Sequence, residues 1–211
     1  MSFKTFNNKN FKRLCNELAK RDDDLRKIIS ENNYPPLFSR EANFETLIYI
    51  ILEQQVSLAS AKAALLKLKE KIGVVTPEKI IALTNEALKA CYFSRQKIVY
   101  AKELANAIIQ QKINLASLQK LDDATIRNEL IKIKGIGNWT IDVFLMMALN
   151  RTDCFPTGDI ALMNSIKHVK QLPKHTSKEE IVLIAEKWKP YRTIAAYILW
   201  WDYIKRKNIR Y

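Results

Sequence analysis

The chain's 211 residues, 48% of them hydrophobic, can bury a sizeable core in one compact body of at most two lobes, and its 4 glycines and 6 prolines are too few for the turns that many short strands would need. An all-α fold is the expectation. Lys and Arg total 35 against 22 Asp and Glu, a net charge of +13; spread along the chain instead of gathered in one tail, this surplus fits a folded surface that meets nucleic acid better than a device for solubility alone.

Met1 to Asn10 holds no apolar run suited to a signal peptide, and no segment approaches the roughly 20 uncharged apolar residues that span a bilayer, so a soluble, intracellular protein is expected. From Asn10 to Asn32, Phe11, Leu14, Leu18, Leu25 and Ile28 recur at mostly helical intervals and predict one first helix, stopped by Pro35-Pro36. Phe44, Leu47, Ile48 and Ile51 predict the next, which leads into Glu53-Gln54-Gln55-Val56-Ser57, with Ser57 capping a helix through Leu68. Shorter helical pieces follow Pro77, a first-turn proline, and Ser94 caps a long helix with Ile98, Ala101, Ala105 and Ile108. Asp122 caps a helix carrying Ile126, Leu130 and Ile133; beyond two glycines, Trp139, Val143 and Met146 mark another. Two more run from about Thr176 to Trp188 and from Pro190 toward Lys207, with no internal repeat or flexible linker.

Three of the 4 glycines, Gly135, Gly137 and Gly158, fall within 24 residues. In Leu130-Ile131-Lys132-Ile133-Lys134-Gly135-Ile136-Gly137-Asn138-Trp139-Thr140 a helix meets Gly-Ile-Gly and the next begins at once, a helix-hairpin-helix pattern. Glycine tolerates positive φ and close approach, so amides around Gly135 to Gly137 can point at a phosphate, with Lys132 and Lys134 adding attraction. Such contacts hold DNA without reading its sequence. A bare Gly-x-Gly is equally a helix-helix turn with a glycine C-cap.

That segment, with the aspartate 20 residues after Trp139 in Phe155-Pro156-Thr157-Gly158-Asp159, resembles the signature of the helix-hairpin-helix DNA glycosylase superfamily. Ile51-Leu52-Glu53-Gln54-Gln55-Val56-Ser57 and the run from Trp188 to Trp200 resemble, within it, the DNA-3-methyladenine glycosylase II family, and the likeness covers roughly Pro35 to Trp201. The resemblance implies a two-lobed all-α body with the active-site cleft between lobes: one lobe from both chain ends, 1–36 and 140–211, and a central one, 37–139, ending in a hairpin of about 122–150. Few residues precede the shared region, so a minimal version without the amino-terminal β domain of some members is expected.

The implied activity is hydrolysis of the N-glycosidic bond of alkylated purines in duplex DNA during base excision repair. Asp159 would be the catalytic carboxylate, stabilising an oxocarbenium-like sugar and orienting water; it would equally cap a helix beginning at Ile160, and both roles can hold. Relatives resembling endonuclease III carry a lysine two residues after the second glycine, where this chain has Trp139, so no Schiff base would form and no strand cleavage would accompany base removal. Trp200 and Trp139 would stack a flipped cationic base, with core packing as the alternative for each. Gln55 falls where the family places its intercalating wedge, though Gln54 and Gln55 also read as a solvent-facing helix end; Lys134, Gly135 and Gly137 would hold DNA.

Val143 stands where a relative has a pocket tyrosine, which leaves the lesion open, and Ser57, Tyr191 and Arg192 match the family pattern while serving equally as caps or packing. Backbone carbonyls of Ile131, Ile133 and Ile136 would hold a structural Na+ or K+ by the same resemblance. No other cofactor is expected: Cys15, Cys91 and Cys154 lack zinc or iron-sulfur spacing, no cysteine follows Cys154, and His168 and His175 read as surface residues. A monomer acting on duplex DNA is the expectation, in cytoplasm, nucleoid or nucleus according to source. The alternatives are a glycosylase for another base lesion and a non-catalytic DNA-binding module.

Overall fold

The computed structural model describes residues 4–209. The expected chain-end lobe also takes in residues 1–3, 210 and 211, and the reading of Met1 to Asn10 rests partly on the first three; these lie outside the described residues. Among the described residues the structure holds thirteen helices and one isolated antiparallel bridge, between Thr5 and Arg151. No helix among them is long and apolar enough to cross a membrane.

In chain order the helices are α1 (Phe11–Ala19), α2 (Asp23–Asn32), α3 (Phe44–Glu53), α4 (Leu58–Ile72), α5 (Pro77–Ala82), α6 (Asn85–Ala90), α7 (Arg95–Ile109), α8 (Leu115–Leu118), α9 (Asp123–Leu130), α10 (Asn138–Met147), α11 (Ile160–Val169), α12 (Lys178–Glu186) and α13 (Arg192–Arg206). Ser57, Ser94 and Asp122 cap α4, α7 and α9 as their positions predict, each accepting a backbone amide three residues on. Two expectations need correction. The single first helix is two, because Asp22 breaks it and caps α2, accepting from the amides of Asp24 and Leu25. Ile133 lies beyond α9, in the turn, its amide donating to Leu130 O at 3.1 Å. The helix after Ser57 also runs past Leu68 to Ile72, ending where Gly73 takes φ 68°.

The chain divides into two compact units. One spans Arg40–Phe144; the other takes the described residues up to Ser39 and from Leu145 onward, so that α10 contributes to both. In the first unit α3 is the central helix: Leu47, Ile48, Ile50 and Ile51 are fully buried, apolar around most of its circumference, and each such side chain stabilises the fold by about 1.5–3 kcal/mol. In the second unit α13 has that place, with Ile194 through Leu199 all at 0% exposure. The cysteines are buried thiols, and burial pushes Cys15 up to about 12, which keeps it protonated and inert.

Asp22 does more than cap α2. Its carboxylate also accepts from Lys170 Nζ, 2.7 Å from each oxygen, and from Trp188 Nε1 at 2.8 Å. Burial works against the charged form, but the Lys170 and Trp188 hydrogen bonds and the Lys170 charge outweigh it and hold Asp22 below the usual carboxylate range. A carboxyl lowered on folding contributes stability above its unfolded pKa that is lost as pH falls through the folded value. Denaturant unfolding should therefore show stability declining below about pH 4. Asp22→Asn, which keeps a capping side chain but removes the charge, should cost about 2–4 kcal/mol at pH 7 and flatten that decline; an equally steep acid loss in the variant would remove Asp22 as its source.

Candidate active site

The hairpin belongs to the first unit. After α9, Ile136 N–H donates to Ile133 O at 3.0 Å and α10 starts from Gly137, whose carbonyl accepts from Ile141 at 3.0 Å. Ile133 and Ile136 turn inward, at 9% and 3% exposure, which leaves Lys132, Lys134, Gly137 and Asn138 exposed. Because the Ile136 amide is used inside the turn, it drops out of the phosphate-facing donors expected from Gly135 to Gly137. Lys132 spends part of its charge on Glu129 at 3.0 Å. Arg127 ties the two helices, donating to Asp142 Oδ1 at 2.5 Å and Asn138 Oδ1 at 3.2 Å.

The two hairpin glycines have different reasons. Gly135 has φ 92°, and a Cβ there would lie 2.1 Å from Cγ of Tyr100, whose ring presses on it from α7. A Cβ on Gly137 would meet nothing within 4 Å. Packing therefore dictates the first glycine, whereas the second leaves its backbone open to an approaching group.

The turn after α3 carries Gln54 at φ −60°, ψ 121° and Gln55 at φ 57°, a left-handed conformation unusual for a residue with a side chain. Gln55, Val56 and Ser57 are exposed. The base of the turn is fixed: Arg40 grips Glu53 with bonds of 2.9 and 2.6 Å while lying over the Tyr49 ring, and Lys97 donates to Leu52 O at 2.7 Å. Burial pushes Lys97 down. Gln54, read from sequence as solvent-facing beside Gln55, instead turns inward: its amide nitrogen donates to Gly135 O and to Thr140 Oγ1, both at 2.9 Å.

In the second unit Asp159 caps α11, its Oδ1 accepting from Leu162 N–H at 2.8 Å and from the indole of Trp200 at 3.1 Å. The half-buried Trp200 is stacked on Tyr197, centroids 5.8 Å apart, and meets Phe38 edge-on at 6.3 Å. The segment leading to Asp159 is also pinned upstream, where Thr193 Oγ1 accepts from Cys154 N–H at 2.9 Å and donates to Cys154 O at 3.2 Å. The carboxylate thus hangs on α13 at both ends of its loop.

The sequence-predicted residues fall into two sets: Gln55, Lys134, Gly135, Gly137 and Trp139 in the first unit, Asp159 and Trp200 in the second. Ser57 serves as a cap. Arg192 bonds Asp153 and Glu186, and Tyr191 lies under Arg21 and Lys4, so both have structural partners. Val143 is buried at 2% exposure. His168 and His175 are exposed. Sequence reasoning missed Tyr100 and Thr140, which meet Gly135 and Gln54 over long separations, and Tyr197, which stacks on Trp200 three residues on but owes its fixed place to Phe6, Phe11 and Phe38 far along the chain.

Gly135→Ala should cost roughly 2–5 kcal/mol in chemical denaturation, from backbone strain together with the Tyr100 clash, and Tyr100→Ala should return only the clash. Gly137→Ala should cost under about 1 kcal/mol. Equal costs would contradict the division of roles between the two glycines.

A family model described as HhH-GPD superfamily base excision DNA repair protein matches residues 48–190. The chain is 32% identical over 186 residues to DNA-3-methyladenine glycosylase 1 of Schizosaccharomyces pombe, an alignment covering 85% of this chain and 82% of that protein. It is 31% identical over 184 residues to the putative DNA-3-methyladenine glycosylase YfjP of Bacillus subtilis, covering 83% of this chain but 64% of that longer protein. Among solved structures, the S. pombe 3-methyladenine DNA glycosylase Mag1 in complex with abasic DNA superposes with a TM-score of 0.82 at 31% identity, over 89% of this chain and 95% of that one. The matched span takes in α3 from Ile48 onward, the Gln54-Gln55 turn, the hairpin and Asp159, and the chain belongs to the HhH-GPD superfamily of base excision DNA repair proteins.

Proposed function

We propose that this protein is a monofunctional DNA glycosylase that hydrolyses the N-glycosidic bond of alkylated purines in duplex DNA, with Asp159 as its catalytic carboxylate. The observation that carries the reading is the double tether of Asp159 Oδ1, held by the first turn of α11 and by the Trp200 indole, in a chain similar over most of its length to a protein named DNA-3-methyladenine glycosylase 1.

Alkylation at N3 of adenine or N7 of guanine makes the base cationic and weakens its bond to the sugar. As that bond breaks, its electron pair leaves with the base and positive charge develops on the sugar; a fixed carboxylate stabilises that charge without reorganising, and water then adds to the anomeric carbon while losing a proton, leaving an abasic site. Asp159 supplies the charge and orients the water. The face of Trp200 turned away from Tyr197 stacks the flipped base, and an electron-rich indole favours a cationic purine by on the order of 1–2 kcal/mol. Exposed Gln55, held at φ 57°, enters the gap in the base stack. Lys134, the Gly137 backbone and the opening of α10 grip phosphate.

Trp139 stands where an amine nucleophile would be needed, so base removal occurs without strand cleavage. Carbonyls of Ile131, Ile133 and Ile136 are hard oxygen donors suited to Na+ or K+; Ile133 O already accepts from Ile136 N–H and keeps one lone pair for an ion. Such a cation would strengthen the grip on phosphate. The protein acts as a monomer.

The test is to incubate methylated duplex DNA with the wild type and with Asp159→Asn, which keeps the helix cap, then identify released bases and assay breaks before and after alkali. The wild type should release 3-methyladenine, leave breaks only after alkali and yield no borohydride-trapped adduct; the variant should be slower by about 10²–10³-fold. Full activity in Asp159→Asn would overturn its assignment, and a trapped adduct would overturn hydrolysis. Trp200→Phe, which keeps a ring but removes the donor to Asp159, should lower kcat about tenfold with KM little changed; a rise in KM alone would restrict Trp200 to stacking.

A further inference from the structure

Two elements of the first unit meet through one side chain. The amide nitrogen of Gln54 has two protons, and the structure uses both: one on Gly135 O, at the centre of the hairpin, and one on Thr140 Oγ1, in the first turn of α10. Both acceptors sit at rigid points, since Thr140 is 1% exposed and Gly135 is pressed by the Tyr100 ring in a conformation that excludes a side chain. The bonds from Arg40 to Glu53 and from Lys97 to Leu52 O hold the turn to its own helix and to α7. Gln54 alone among these anchors reaches the hairpin. Its neighbour Gln55 points out of the same turn, exposed and at positive φ.

We propose that Gln54 is a positioning residue that fastens the exposed Gln55–Val56 turn to the hairpin, so that the element gripping phosphate and the element entering the base stack form one rigid body before DNA arrives. The proposal rests on the function proposed above. A side chain inserted into a duplex must push against something fixed, and a turn free to swing would yield before the base stack opened. The hairpin supplies the fixed point, because its phosphate contacts anchor it to the same duplex. The brace therefore governs the step from holding DNA to opening it, and leaves simple holding untouched.

The test uses the whole protein with Gln54→Met, which keeps the length of the side chain but donates nothing, and Gln54→Glu as a second donor-free variant should the first not fold. Two readouts are needed: amide hydrogen exchange of the free protein over 54–57 and 134–137, and affinity for undamaged duplex against duplex carrying a tetrahydrofuran abasic-site analogue. Exchange should rise in both segments together. Affinity for undamaged DNA should stay within about twofold, while the preference for the analogue falls about tenfold, the effect expected from losing two hydrogen bonds. Exchange that rises in one segment only, or a preference left intact, would overturn the brace. Failure of the wild type to release any base from damaged DNA would instead strike the proposed function, and the exchange measurement on free protein would still decide whether Gln54 ties the two segments.

Discussion

A helix buried along most of its length must find an internal partner for every polar group it carries, and in the second unit that obligation falls on α13. Each partner it finds fixes another part of the unit. Thr193 bonds both backbone groups of Cys154, Tyr197 donates to Met146 O at 3.1 Å, Trp201 donates to Asn32 O at 3.0 Å, and Asp202 accepts from Ser165 of α11 at 3.3 Å. Trp200 completes the set on Asp159. The catalytic candidate is thus held by the same rule that makes the helix stable: a buried donor without an acceptor would cost about 1–3 kcal/mol.

The aromatic cluster explains why that indole is in place. Tyr197 is fully buried and gathers Phe6, Phe11, Phe38 and Trp200 within 5.0–6.0 Å, mostly tilted or edge-on as ring quadrupoles prefer. Tyr197 and Trp200 are three residues apart on one helix and share a face. Rigid packing behind the tryptophan gives its N–H a fixed direction, and a fixed direction is what a carboxylate needs to meet developing charge without first reorganising.

The first unit solves a different problem. A sharp turn between two helices leaves backbone groups unsatisfied, and the hairpin absorbs them by local bonds and by the Gln54 amide on Gly135 O, while the Arg127 bridge to Asp142 ties the side chains of its two helices. Gly135 permits the ring of Tyr100 to close over the turn, while Gly137 keeps the outer edge of the backbone bare. The result is a stiff inner side and an open outer side, the arrangement that backbone gripping of a polyanion requires.

Much of this was legible in the residues. Apolar spacing and the capping serines and aspartates located most helices, because both signals act within four residues along the chain. Gly135 to Gly137 and Asp159 stood out through their spacing and their resemblance to a family signature. The break at Asp22 was not legible, since the apolar period runs on through it and the cap draws its strength from Lys170 and Trp188 far along the chain. Nor was the inward turn of Gln54, because an amide beside an exposed twin has the same local signature whichever way it points. Near-neighbour signals in the residues were enough for the all-α class, most helix starts, the net positive charge and the helix-hairpin-helix pattern with Asp159 as its candidate carboxylate; tertiary structure alone decided where the first helix breaks, which donors meet Asp159, what presses on Gly135 and where Gln54 reaches. The physical reason is range: caps and periods are settled between near neighbours, whereas a buried polar group takes whichever partner the packed core brings within hydrogen-bonding distance.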